Sequence, residues 1–467
     1  MKNSNIDLTP TELPQIINPE KQELVSANKK FIVLTSFVAA LGGLLFGFDT
    51  AIISGTIPYI SAYFNMNEYM LGWSVSSILV GCAVGAMFAG GLADRYGRRY
   101  TLIVCAILFA VSGMGAGLSH QLYVFILFRL IGGLGVGAAA MVSPMYIAEI
   151  SPAKWRGRLV AFYQMAIVIG ILVAYFSNYL FDGLGANNWR WMFASQAAPS
   201  LLFFLLLLGV PETPRWLIMK GRKKDAAVIL KKISGDKPVE IEVAEIENSF
   251  HAKHDISINQ LFNKTYRPVL FIGIIVAVLQ QVTGINSIIY YAPVIFKETG
   301  INSSSSLLQT IVIGVVNVIS TFIAIVLVDK VGRRKLLLMG SLLMGLSLLG
   351  VGLCFWYSYF DHSIMLIFML LYVASFGATF GAVVWVYLSE IFPNLIRSQA
   401  LSIATLALWL ADFAVTLSFP VMTKHLGVSY TMFCYALLCV VAFIYMFYKV
   451  KETKGRSLEE IETLFIP

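Results

Sequence analysis

Charge is scarce in this chain. Only 13% of its 467 residues are charged, about half the ~25% of a soluble globular protein. With 58% apolar residues and a mean hydropathy of +0.77, most soluble folds and any disordered architecture are excluded. Cysteine is also sparse. The five residues Cys82, Cys105, Cys354, Cys434 and Cys439 are odd in number and show no metal-ligand spacing. They read as small apolar fillers, and neither a metal centre nor a cofactor is expected. Residues 1–30 are polar and lack an apolar core followed by a small-residue cleavage site. They read as a tail that is not removed, with the first apolar run directing insertion. The short alternating segments of a transmembrane β-barrel are missing too.

What the sequence does have is long apolar runs. Six fall at 31–60, 71–93, 101–119, 122–148, 158–180 and 191–210, and six more at 269–298, 307–328, 336–357, 364–389, 399–423 and 430–449. At about 20 residues per span, each predicts one membrane crossing. The net charge of +8 is not a nucleic-acid footprint, because its distribution follows the runs. Of the 34 Lys and Arg, 30 lie in the tails and alternate loops, and Arg190, Lys297 and Lys424 in the others; Arg129 lies inside a run. Basic loops stay cytoplasmic. Both termini and the 211–268 insert are therefore expected in the cytoplasm.

The two sets of six repeat. Asp94-Arg95-Tyr96-Gly97-Arg98-Arg99 returns as Asp329-Lys330-Val331-Gly332-Arg333-Arg334, 235 residues later. Glu149, Pro152 and Arg156 return as Glu390, Pro393 and Arg397, at an offset of 241. The chain reads as a duplicated six-helix unit, its copies related by an axis along the membrane normal. The expected organisation is a tail (1–30), a first bundle (31–210), a cytoplasmic helical linker (211–268), a second bundle (269–449) and a tail (450–467). Gly97 and Gly332 suit tight turns, and the arginines can fork onto Glu149 and Glu390. The bland reading is a loop that only anchors topology. The sharper one is a charge network of Asp94, Arg98, Glu149, Arg156, Asp329, Arg333, Glu390 and Arg397 that holds the cytoplasmic side shut and breaks on opening. In the insert, 222–232 and 239–250 have amphipathic helical spacing. Ser457-Leu458-Glu459-Glu460 is a capping-box pattern for one more short helix.

Ionisable residues at membrane depth are costly and point to function. Three stand out: Asp49, Arg129 and Asp412. An Asp49–Arg129 pair would offset much of the burial cost, and separating it would raise the affinity of the carboxyl for a proton. The alternative is a fixed pair that only locks two helices. The seventh run carries Gln280, Gln281, Gly284 and Asn286. Gln281 and Asn286 are about 500° apart on a continuous helix, within about 140° of each other. Carboxamides offer both donor and acceptor, which hydroxyl-dense ligands require. Gln164 and Asn317 are lone carboxamides, and Trp385 and Trp409 are candidates for stacking on a sugar ring or for plain packing. Asp412 has three open readings: protonated and structural, ionised and accepting from sugar hydroxyls, or a second proton carrier. Only Thr416, one turn on, offers it a local hydrogen bond.

Together these residues resemble the sugar porter family of the major facilitator superfamily. The resemblance runs from about residue 31 to 465. It is carried by Gly47-Phe48-Asp49-Thr50, both Gly-Arg-Arg loops, Pro211-Glu212-Thr213-Pro214-Arg215-Trp216-Leu217, the Gln280-Gln281 to Asn286 motif, Trp385 and Ser389-Glu390-Ile391-Phe392-Pro393. It implies an all-α membrane protein, with twelve transmembrane helices in two pseudosymmetric six-helix bundles and a monosaccharide site between them. Its nearest likeness is to bacterial proton-coupled pentose and hexose symporters of the xylose and galactose type, in which the acid of the first helix is the proton site. That implies Asp49 with Arg129 as the coupling pair. It also implies sugar contacts at Gln164, Gln280, Gln281, Asn286 and Trp385, with Asn317, Phe376, Gly381 and Trp409 lining the pocket.

The chain departs from the family's pattern in places. Ile171 and Leu408 replace carboxamides, Gly381-Ala382 replaces Gly-Pro, and Asp412 replaces Asn. The Pro211 motif recurs only weakly as Lys451-Glu452-Thr453-Lys454-Gly455. The expected protein is a proton-coupled monosaccharide symporter of the bacterial inner membrane, monomeric, with lipid as its surroundings, no nucleic-acid partner and no enzymatic activity. A facilitative uniporter, a non-transporting sensor and, more remotely, a drug exporter are the rivals.

Overall fold

The computed structural model describes residues 28–234, 238–251, 261–358, 362–393, 395–456 and 458–465. The tail before residue 28 and Ser457, the expected cap of the last helix, lie outside them. Eleven helices are long and apolar enough to span a membrane. The last, Arg397–Lys449, breaks at Gly427, whose φ is 84°. That makes twelve spans, each matching one apolar run to within a few residues.

In chain order they are α1 (Lys29–Tyr63), α2 (Glu68–Tyr96), α3 (Arg98–Leu118), α4 (Leu122–Ile150), α5 (Ala153–Phe181) and α6 (Asn188–Gly209). Then follow α7 (Arg267–Lys297), α8 (Ser303–Val331), α9 (Arg333–Trp356), α10 (His362–Ala378 and Phe380–Ile391), α11 (397–426) and α12 (428–449). Outward-facing side chains such as Leu34, Phe37, Phe88, Leu180, Phe322 and Leu437 are large and apolar, as lipid requires. Four of the cysteines are buried; Cys434 is exposed.

The first six spans pack into one bundle and the last six into another, α2 on α4 and α1 on α5 in the first, α9 on α10 and α12 in the second. The bundles meet through α1 with α7, α2 with α11, and α5 with α8. These contacts lie at mid-depth or on the side away from the basic loops. Trp73 meets Phe413 edge-on at 5.8 Å. The Tyr175 hydroxyl donates to the Ile289 carbonyl at 2.8 Å, and His425 Nε2 lies 3.4 Å from a Glu68 carboxylate oxygen. These bundle-to-bundle contacts lie away from the basic face.

Two spans are broken and a third is interrupted. α7 stops at Val282 and restarts at Ile285, because Gly284 adopts a left-handed φ of 94°, open only to a residue without a Cβ at little cost. α10 breaks at Thr379, with φ −131° and ψ −87°. α6 is interrupted at Ser195 and Gln196, which keep helical dihedrals. The insert forms Pro214–Met219, Lys223–Ser234 and Val239–His251, the last two where amphipathic helices were expected. A final helix runs Leu458–Phe465.

Candidate functional site

The first cluster is built on α1. Its Gly47 packs directly on the α5 backbone at Ile167, which seats Asp49 in the bundle interior. Asp49 is fully buried and Arg129 of α4 is 1% exposed. Arg129 Nη1 donates to Asp49 Oδ1 at 2.7 Å and to the Asp49 carbonyl at 3.1 Å. The expected pair is thus formed, in an apolar surround where Coulomb attraction is strong but desolvation costly. Gln196, at the α6 interruption, faces the carboxyl. Asp49 Oδ2, Arg129 Nε and Nη2, and both amide atoms of Gln196 make no direct hydrogen bond. Polar capacity is therefore concentrated around one carboxylate. The sequence carried a faint signal for Gln196, a lone carboxamide in an apolar run.

The second cluster follows from the broken helices. The α10 break frees the Phe380 carbonyl, to which Gln280 Nε2 donates at 2.8 Å. Gln281 Nε2 donates to Gln280 Oε1 at 3.3 Å. Asn286 Nδ2 donates to Gln281 Oε1 at 2.9 Å across the α7 break. One polar chain thus links α10 and both halves of α7. The Asn286 side chain also faces Asp412 of α11, whose Oδ1 accepts from Thr416 Oγ1 at 3.1 Å. A continuous helix would hold Gln281 and Asn286 apart; the left-handed turn at Gly284 brings them into contact.

The remaining candidates are spread around this chain. Trp409 is buried, its ring 5.8 Å from Phe46 of α1, and its indole N–H has no partner. Asn317 is buried on α8 beside Gly377 of α10. Phe376 packs against Gly381. Gln164 is half-buried on α5. Trp385 is 38% exposed, on the half of α10 toward the basic face. Ile171 and Leu408, the positions where carboxamides are missing, are both buried.

On the basic face the charge networks form, but within bundles. Arg98 bonds Asp94 and Glu149, each at 3.0 Å. Arg333 bonds Glu390 at 2.7 Å and Asp329 at 3.3 Å. Arg156 Nε donates to the Ala148 carbonyl and Arg397 Nε to the Phe392 carbonyl, both at 3.1 Å. Each of these bonds runs within one bundle and braces it.

A third partner was not anticipated. The Glu212 carboxylate accepts from the backbone N–H of Arg98 and Arg99 at 3.0 Å each, and Thr213 donates to Glu149 at 2.6 Å. Glu452 does the same for Arg333 and Arg334, at 2.8 and 3.2 Å, and Thr453 donates to Glu390 at 2.7 Å. Each Glu-Thr pair caps the helix after a Gly-Arg-Arg turn, where backbone donors are otherwise orphaned. Burial pushes the Glu212 carboxyl up from its ordinary value, against the downward pull of the Thr213, Arg99 and Arg98 amides and the Arg98 charge. Glu212→Ala and Glu452→Ala should each lower stability by about 1–3 kcal/mol, the cost of leaving such donors unpaired. Thermal unfolding in detergent should show similar losses for both.

Comparison with known proteins places this arrangement. The family described as "Sugar (and other) transporter" matches residues 35–465. The chain belongs to that family. The transporter is 40% identical over 464 residues to the arabinose-proton symporter of Bacillus subtilis (strain 168), covering 98% of the chain and 99% of the relative. It resembles the inward-open conformation of the xylose transporter XylE from E. coli, with a TM-score of 0.83 and 40% identity over 93% of the chain and all of that structure. With the same protein described as a major facilitator superfamily proton:xylose symporter bound to 6-bromo-6-deoxy-D-glucose, the TM-score is 0.76 at 39% identity, over 94% of the chain and all of that structure.

Proposed function

We propose that the transporter is a proton-coupled monosaccharide symporter of a bacterial inner membrane, with its basic face cytoplasmic, working by alternating access between residues 31–210 and 269–449. The observation that carries this reading is a buried carboxylate–arginine pair in one bundle beside a hydrogen-bonded carboxamide chain in the other. The pair of Asp49 and Arg129 supplies a group that takes up a proton when its cation withdraws. The chain of Gln280, Gln281 and Asn286 offers the mixed donors and acceptors that sugar hydroxyls need. Gln164, Asn317, Phe376, Gly381, Trp385 and Trp409 complete the pocket, and the free indole N–H of Trp409 offers a further hydrogen-bond donor. Rocking one bundle against the other opens this site to each side in turn.

The test is sugar uptake into proteoliposomes. Labelled D-xylose or L-arabinose should accumulate uphill when an inward proton gradient is imposed, and adding sugar should alkalinise the medium. Uptake without alkalinisation would make the protein a uniporter. Failure of labelled-sugar counterflow would sink transport altogether.

Within this reading, Gln281→Ala should weaken sugar binding by about 1–3 kcal/mol, roughly 5- to 150-fold in Kd. Titration calorimetry checks it, and an unchanged Kd removes Gln281 from the pocket. Ile171→Gln together with Leu408→Gln restores the missing carboxamides and should reorder the sugar preference toward pentoses or glucose. Competition by a panel of unlabelled sugars reads the ranking.

A further inference from the structure

Asp412 is a buried carboxyl without a counter-ion. It is 1% exposed, and among the described residues no Lys, Arg or His pairs with it. The Thr416 hydroxyl donates to it at 3.1 Å, and the Asn286 amide faces it. Asp49, equally buried, has the Arg129 guanidinium at 2.7 Å. The two acids therefore face opposite problems. A carboxylate at Asp49 is compensated; one at Asp412 would be a bare charge at membrane depth, which is costly.

The groups around Asp412 can be named. From α2, Cys82 lies within electrostatic reach of Asp412, Asp49 and Arg129 together. From α7, Tyr290 lies within reach of Asp412 and Arg129. Neither supplies a positive charge, and Arg129 spends its direct contact on Asp49. Asn286 joins Asp412 to the carboxamide chain, since the same side chain donates to Gln281. A sugar hydroxyl that takes the Asn286 amide removes a polar donor that would otherwise favour a carboxylate at Asp412. Ligand binding and a protonated Asp412 thus favour each other.

We propose that Asp412 is a second proton-binding group of the transporter, on the opposite bundle from Asp49, and that its proton and the sugar bind cooperatively. The linkage to sugar rests on the symporter reading above; the proton site itself does not. Sugar bound at Asn286 holds the Asp412 proton, and release of sugar frees both. The acid at this position then serves coupling as well as contact.

Two measurements on Asp49→Asn, compared with Asp49→Asn/Asp412→Asn, test this. Infrared difference spectra recorded without sugar, as pH is stepped across neutrality, should show a titrating protonated-carboxyl band in the single variant. The band should vanish in the double variant. Calorimetry with D-xylose and L-arabinose should show affinity of the single variant weakening as pH rises, by up to about tenfold per pH unit, the limit for one linked proton. The double variant should be flat with pH. A band that survives Asp412→Asn, or a pH dependence equal in the two variants, overturns the proposal. If neither sugar binds to the unaltered protein, the symporter reading falls, and the infrared comparison alone decides whether Asp412 holds a proton. Asp412→Glu, which keeps a carboxyl, should retain a titrating band; its absence there also counts against the proposal.

Discussion

Asp49→Asn should abolish uphill sugar accumulation while leaving exchange of sugar across the membrane. The amide is nearly the size of the carboxyl and can still accept from Arg129, so the fully buried site at α1 remains packed. What it loses is the ability to take up and release a proton. The internal sugar concentration should then rise no higher than the external one, whatever proton gradient is imposed. Proteoliposomes loaded with sugar and diluted into label read both quantities in one preparation. Full concentrative uptake by this variant would remove Asp49 from the coupling step.

Its partner should respond differently. Arg129→Ala leaves the Asp49 carboxyl in a dry site with no cation, and removing one member of a buried ion pair costs about 3–5 kcal/mol. The Asp49 carbonyl loses a hydrogen bond as well, and the space beside Phe193, over which the guanidinium lies at 5.8 Å, is left empty. Yield of folded protein and thermal stability should both fall steeply, with transport lost. The double variant Asp49→Asn/Arg129→Ala removes the stranded charge and should recover part of the stability. Equal melting temperatures for the single Arg129→Ala and the double variant would show that the stranded charge is not what destabilises the protein.

Much of this architecture is legible in the sequence because lipid imposes a length on every span and a charge bias on every loop. The runs, the duplicated Asp-Arg-Gly-Arg turns and the isolated Asp49 and Arg129 are all local signals. The breaks are harder to see. Nothing in an apolar run announces that α10 stops at Thr379; Gly284 reads as a place where a helix can bend, but its φ of 94° is not legible beforehand. The contact of Gln281 with Asn286 depends on that hinge, so helical arithmetic placed them on one side without joining them. The role of Glu452 was masked by its setting: Lys451 and Lys454 stand where the first copy has Pro211 and Pro214, and the repeat looks eroded. Its carboxylate is nonetheless aimed at Arg333 and Arg334 as Glu212 is at Arg98 and Arg99. Hydrogen-bonding geometry preserved what residue identity had lost.

The position of Glu452 also decides how the protein can be handled. In the first bundle the capping Glu-Thr pair belongs to the segment joining the two halves, and no trimming of the chain can remove it. In the second bundle it lies beyond α12, in a stretch that looks dispensable on hydropathy alone. A chain shortened to Val450 would keep every membrane span yet strip the cap from α9 and the Thr453 hydroxyl from Glu390. Affinity tags and reporter fusions therefore belong after the helix Leu458–Phe465, and a truncation library should show a sharp loss of folded protein between residues 454 and 450, not a gradual one.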